Sequence, residues 1–182
     1  LEFLSRQEVK ALLDAPDRST WSGQRDAVLL ATLYNTGARV SEITGLRVTD
    51  VFIDRASAVH LHGKGRKERV VPLWKTTAAL LRAWFPRIDP SPDAPVFPNR
   101  AGTRLSRFGV ENRLTVALAI ASKRCPSLAG RRISPHTLRH TTAMHLLQSG
   151  VDITVIAMWL GHEDPSTTHL YVEADLAMKE AA

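Results

Sequence analysis

The chain has one cysteine, Cys125, in 182 residues. No internal disulfide framework is available to it, and that usage fits a reducing compartment. No apolar run approaches the roughly 20 residues a membrane span needs, and nothing near Leu1 resembles a signal peptide. Internal repeats and low-complexity tracts are absent, which excludes a repeat array. Acidic residues are the scarcer charge: 18 Asp plus Glu stand against 24 Lys plus Arg, giving a net charge of +6 with seven His neutral. A basic surplus with a pI near 10.0 favours a polyanionic partner, and on charge alone nucleic acid and a merely basic soluble protein stand about even. The length fits one domain with a substantial core. The first residue is Leu1 rather than Met, in what reads as the approach to a helix, so a fragment is expected.

What is present reads as mostly helix plus one small sheet. Ser5-Arg-Gln-Glu8 matches a capping box and opens a helix with Val9, Leu12 and Leu13 on one side. Helical spacing runs from about Trp21 to Asn35, with Gly37 as a natural stop, and a short helix follows from Arg39 to about Gly45. Between residues 47 and 73 the texture turns to β: Val48–Ile53, Ala58–His62 and Arg69–Leu73 read as strands. Val59 and Leu61 alternate with a wet face of His60 and His62. The tightest turn, Gly63-Lys-Gly-Arg-Lys-Glu68, carries Lys64, Arg66 and Lys67. Thr76–Phe85 is helical, and Pro86–Pro98 is a loop inside one domain. Asn99–Arg104 is a basic turn. Ser106 caps a long helix to about Lys123, with Val110, Leu114, Val116 and Leu118 as core candidates. Three helices close the chain: Pro135–Gln148, Ile153–Leu160, and one begun by Asp164-Pro165, with Pro at its first turn.

Four constellations carry chemistry. His136 and Arg139 stand one turn apart at a helix N-terminus, an end that attracts anions. Guanidinium supplies paired donors for phosphate oxygens, and imidazole donates hydrogen bonds or moves protons. His136 and His140 also have the i, i+4 spacing of zinc-binding helices. However, the second position of that motif holds Thr137 instead of Glu, and the cation Arg139 would disfavour a divalent metal. Arg39 and Glu42 share a helix face after Gly37, where the carboxylate is expected to hold the guanidinium rigid. Taken alone, such a pair is usually a solvated ion pair. Glycines flank Lys64 and let the backbone approach a ligand closely. Gly161-His162 is followed by Tyr171; a lone Tyr on an apolar helix is most often a core residue with a satisfied hydroxyl, and as a nucleophile this phenol needs nearby positive groups.

In that order, with TGARVSEITGL, HGKGRKERVVPL, SPHTLRHTTA and LGHEDPSTTHLY, the chain resembles the tyrosine recombinase/integrase family from about Ser5 to Tyr171. The resemblance implies an α+β, mostly helical catalytic-domain fold with its small antiparallel sheet near residues 47–73. It implies a single catalytic domain over 1–182, without the N-terminal core-binding domain of such proteins. The catalytic set it implies is Arg39, Lys64, His136, Arg139, His162 and Tyr171, with Glu42 orienting Arg39. Tyr171 would attack a scissile phosphate to give a 3′-phosphotyrosyl enzyme and a free 5′-hydroxyl. Arg39 and Arg139 would hold the non-bridging oxygens, Lys64 would protonate the departing 5′-oxygen, His136 would accept the phenol's proton, and His162 would be a further donor. Neither metal, ATP nor another cofactor is expected. The implied partner is double-stranded DNA, with a tetramer on paired sites, a monomer or weak dimer without DNA, and a cytoplasmic, nucleoid-associated location. Arg66, Lys67, Arg100, Arg104, Arg107, Arg131 and Arg132 are candidates for phosphate contacts, each equally readable as a solvated surface charge. Two alternatives stand beside this reading: relaxation of DNA as by a type IB topoisomerase, and a non-catalytic DNA-binding module on the same fold. Integration, excision, dimer resolution and inversion are equally compatible with the residues.

Overall fold

The computed structural model describes residues 2–182, apart from the side chain of Pro165. Eight α-helices and three strands appear among them, and each helix start has a local cause. Helix α1 (Arg6–Leu13) begins with the expected reciprocal box: Glu8 N–H donates to Ser5 Oγ, and Ser5 N–H donates to Glu8 Oε1. Helix α2 (Trp21–Thr36) is capped by Thr20 and ends at Gly37, whose φ of 61° is left-handed. That conformation costs most side chains about 1–2 kcal/mol, and glycine adopts it freely. Arg39 is the N-cap of the short helix α3 (Val40–Thr44), so its side chain leaves from the mouth of that helix.

The sheet is smaller than the sequence predicts. Val48–Asp50 forms a 3₁₀ turn, leaving Val51–Phe52 as strand β1. Arg47 N–H donates to the Asp50 carboxylate, which ties this segment into a cap instead of a ladder. Strands β2 (Ala58–His62) and β3 (Glu68–Pro72) pair antiparallel, with Val59 opposite Val71 and Leu61 opposite Arg69. Their connection holds a 3₁₀ turn over Lys64–Arg66, with positive φ at Gly65 and also at Arg66.

Helix α4 (Lys75–Trp84) precedes the proline-rich loop, and the Asn99–Arg104 turn folds around Gly102 as a small hairpin bridging Pro98 and Arg104. Helix α5 (Arg107–Arg124) buries Val110, Leu114, Ala117 and Ala121, one stripe at i, i+4, i+7 and i+11. Val116, expected in the core, is exposed because it lies off that stripe, and Leu118 is only partly buried. The helices α6 (Pro135–Gln148), α7 (Ile153–Leu160) and α8 (Pro165–Ala181) follow the expected bounds closely.

Two apolar clusters result. The larger joins α1, α2, the sheet, α4 and α5, and includes Leu29, Leu61, Trp84 and Leu114. The smaller gathers Ala143, Met144, Leu146, Ile156, Leu160 and Tyr171 from α6, α7 and α8. The chemistry-bearing segments meet where α2, α6, α7 and the sheet converge.

Candidate active site

Arg139 is the centre of the site. It projects from α6 and is 3% exposed. Its Nη1 donates to the Gly37 carbonyl at 2.6 Å and its Nη2 to the Leu160 carbonyl at 2.7 Å. These acceptors are the last carbonyls of α2 and α7, the negative ends of two helices. One guanidinium therefore ties the turn before Arg39 to the turn before His162. Burial, followed by the nearby charges of Arg39 and Arg69, lowers its pKa to about 10. Arg39 and Arg139 are thus near enough for their charges to interact, not on opposite sides of the molecule.

Arg39 is exposed. Glu42 is buried beneath it and does not take the predicted partner. Its Oε1 accepts the backbone N–H of Arg39 at 2.8 Å, while the guanidinium it binds is that of Arg69. The reason is geometric: Arg39 precedes the helix, so the carboxylate three residues later reaches back to its amide as an N-terminal cap. Glu42 consequently fixes the Arg39 backbone and leaves the Arg39 side chain exposed.

His162 follows Gly161, whose φ of 71° ends α7. Its Nδ1 lies 2.8 Å from Thr168 Oγ1, and its ring stacks on Tyr171 with 6.2 Å between centroids. Burial, then Arg139 and Arg39, lowers its pKa to about 4. Tyr171 is 2% exposed and part of the smaller core. Its hydroxyl lies 2.8 Å from His140 Nδ1. Burial, with contributions from His136 and Arg139, lowers the His140 pKa to about 4, so the imidazole is neutral, and its tautomer sets whether Nδ1 accepts the phenol O–H or donates to the phenol oxygen. Burial also raises the Tyr171 pKa, with Arg139 opposing. His136 is exposed, and its ring meets that of His140 edge-on at 4.4 Å.

Lys64 is exposed on the hairpin. A Cβ at the preceding Gly63 would stand 3.4 Å from Glu42 Oε2, so the hairpin base abuts the site floor. Lys67 pairs with Glu163 in the turn after α7. Among the other basic candidates, Arg66, Arg100, Arg104 and Arg132 are exposed, and Arg107 pairs with Glu111 one turn on. Arg131 is different. Its guanidinium is held by Glu2 and Glu8, at 3.0 and 2.8 Å, and clamps the N-terminal segment onto the domain.

Sequence reasoning missed two participants. His140 was weighed only as a zinc ligand, although its i+4 spacing from His136 puts it on the same helix face. Arg69 shares the inward parity of β3 with the fully buried Val71. A charge at an inward strand position is itself a signal.

For metal binding, the grouping with suitable spacing among the described residues is Asp50, His60 and His62, whose ligand atoms lie within 4.8 Å of one another. The Asp50 carboxylate already receives Arg47 and His62, and His60 donates to Glu68 at 3.0 Å. That cluster pins the foot of the hairpin through hydrogen bonds, and the Arg47 cation on Asp50 opposes a divalent metal there.

Comparison with known proteins identifies the family. The chain is 52% identical over 182 residues to y4rC of Sinorhizobium fredii, provisionally named an integrase/recombinase, and covers 100% of this chain and 55% of y4rC. It is 39% identical over 174 residues to the tyrosine recombinase XerC of Neisseria meningitidis, covering 94% of this chain and 55% of XerC. The chain therefore spans little more than half the length of these relatives. Among solved structures, XerA recombinase superposes with a TM-score of 0.80 at 26% identity, over 94% of this chain and 60% of XerA. No helix among the described residues is long and apolar enough to cross a membrane. With its fold, its clustered basic and imidazole groups and a match to the phage integrase family over residues 2–178, the chain belongs to the phage integrase family.

Proposed function

We propose that this domain cuts and rejoins double-stranded DNA through Tyr171. The observation that carries the reading is the pair of Arg139 hydrogen bonds to the Gly37 and Leu160 carbonyls. They gather Arg39, Arg139 and His162 beside the helix bearing the phenol. Of the five guanidinium donors, the two carbonyls occupy one on each Nη and leave the others for phosphate oxygens.

In the reaction, the phenolic oxygen of Tyr171 attacks phosphorus in line, and the bond to the 5′-oxygen breaks. Lys64, on the hairpin over the cleft, gives its proton to the leaving oxygen. Arg39 and Arg139 neutralise charge growing on the non-bridging oxygens, and His162 adds a donor; losing one such group typically costs about 10²–10³ in rate. Glu42 holds Arg39 through its backbone. The phosphodiester energy persists in the 3′-phosphotyrosyl link, so a second strand's 5′-hydroxyl reverses the step without ATP. Positive side chains supply the electrostatics, and the reaction is written without metal or cofactor. In the resting arrangement the phenol is hydrogen-bonded to His140 Nδ1. Because Tyr171 is buried, α8 must shift to bring it to DNA, where the exposed His136 is the acceptor for its proton. Strand exchange then needs several protomers around two duplexes, in a tetramer formed on paired sites.

The test is covalent trapping. Full-chain protein is lysed under denaturing conditions, and the DNA attached to it is recovered and sequenced. A nicked suicide duplex built on that sequence should then give an adduct with the wild-type chain and none with Tyr171→Phe, which still binds DNA. Adduct formation by Tyr171→Phe would refute the assignment. Adduct with plasmid relaxation but no exchange between paired sites would move the reading to the topoisomerase-like alternative.

A further inference from the structure

We infer that Arg69 is a positioning residue for strand cleavage, acting by occupying Glu42 so that the Arg39 guanidinium stays free for phosphate. The inference rests on the cleavage reading above and adds to it a residue outside the catalytic set.

Arg69 makes an unusually complete set of contacts. Both Nη atoms engage the Glu42 carboxylate, and the two side chains are 12% and 0% exposed. Its Nε donates to the Trp159 carbonyl at 2.9 Å. Gly161 packs flat against it: a Cβ there would meet Arg69 Nη1 at 2.9 Å, Cδ at 3.1 Å and Cζ at 3.2 Å. One side chain from β3, the strand that leaves the Lys64 hairpin, therefore reaches the cap of α3 and the turn that delivers His162. Its charge is close enough to Arg139 and His162 to depress both their pKa values.

The reason this matters is charge competition. Glu42 is a buried carboxylate that holds the Arg39 backbone amide and the Arg69 guanidinium, and its charge also reaches Arg139. A buried carboxylate without a partner is strongly unfavourable and recruits the nearest cation. Arg39 is an exposed cation whose backbone amide already sits on Glu42 Oε1. With Arg69 in place, bidentate and fixed by Trp159, that vacancy does not arise. Without it, Arg39 folds down onto Glu42 and its charge is withdrawn from the cleft. A lysine at 69 can form only a single-point contact, so it should preserve part of the effect.

The experiment uses the full chain and the nicked duplex recovered with wild-type protein. Arg69→Gln should lower the rate of adduct formation about 100-fold, with DNA affinity within about 3-fold of wild type and a folded far-UV circular dichroism spectrum. Arg69→Lys should fall in between. The decisive variant is Arg69→Gln combined with Glu42→Gln, which removes the carboxylate that captures Arg39. It should recover the rate to within about 10-fold of wild type, a gain that a merely structural Arg69 would not produce. Adduct from wild type with an undiminished rate in Arg69→Gln overturns this inference alone. So does a loss that the double variant fails to recover. If Arg69→Gln does not fold, Arg69→Lys and the double variant decide by the same comparison. If wild-type protein forms no adduct at all, the cleavage reading falls and takes this inference with it.

Discussion

At Arg139 the magnitudes oppose one another. A guanidinium held at about 10 instead of 12.5 carries roughly 3 kcal/mol of unfavourable surroundings, at about 1.4 kcal/mol per pKa step. Removing it would relieve that cost but orphan the Gly37 and Leu160 carbonyls, at about 1–3 kcal/mol each. The two effects nearly cancel. Arg139→Met should therefore leave the urea unfolding free energy within about 2 kcal/mol of wild type while lowering adduct formation by about 10²–10³. A large loss of stability would show that the arginine is mainly structural. The imidazoles make a second residue-scale prediction. His140 and His162 titrate at about 4 in the folded chain, below their unfolded value of about 6.5. Between those values the unfolded chain binds more protons, so stability is full above pH 6.5 and falls as pH drops toward 4. His140→Gln and His162→Gln should each flatten that fall, measured as thermal midpoints at about pH 7 and pH 5. An unchanged slope in both variants would contradict the buried, neutral imidazoles.

At the scale of elements, two glycines separate strain from packing. Gly65 in the hairpin has φ 68° with open space around its missing side chain, whereas Gly161 has φ 71° and Arg69 against it. Gly65→Ala should cost about 1–2 kcal/mol of backbone strain and no more. Gly161→Ala should cost that and also push Arg69 off Glu42, so it should slow adduct formation where Gly65→Ala affects mainly stability. Urea denaturation and single-turnover cleavage on the same two variants read the difference; equal effects on cleavage would argue against the Arg69 contact. The helices themselves were legible because their caps are local. Ser5, Thr20, Ser106, Ser134, Asp152 and Asp164 each accept a hydrogen bond from the first turn they precede. The first strand was not, because Arg47 and Asp50 divert Val48–Asp50 into a turn through a contact that alternation cannot report.

At the scale of the whole molecule, charge sets the expected behaviour with DNA. With a net charge of +6, binding should weaken linearly in log salt, with a slope of about 0.9 for each duplex phosphate neutralised. Arg66→Ser, on the exposed hairpin, should reduce that slope by about 1. Arg131→Ser should leave it unchanged and instead lower stability, since Glu2 and Glu8 would lose their partner. Fluorescence anisotropy over a salt series, alongside thermal unfolding, tests both. Identical salt slopes for the two variants would remove the distinction between a free and an engaged arginine.

The sequence by itself determined the helix starts and stops and the wet and dry faces of β2. Each of those follows from spacing along a few turns or a few strand residues. Only the tertiary structure decided the partners. Glu42 chose Arg69, 27 positions away, over Arg39 three positions away, and Tyr171 settled on His140. Arg131 turned inward to acidic residues at the other end of the chain. A buried carboxylate or phenol binds whichever complementary group the packed core holds at hydrogen-bond distance, and that distance is set by how helices and sheet cross, not by separation along the chain.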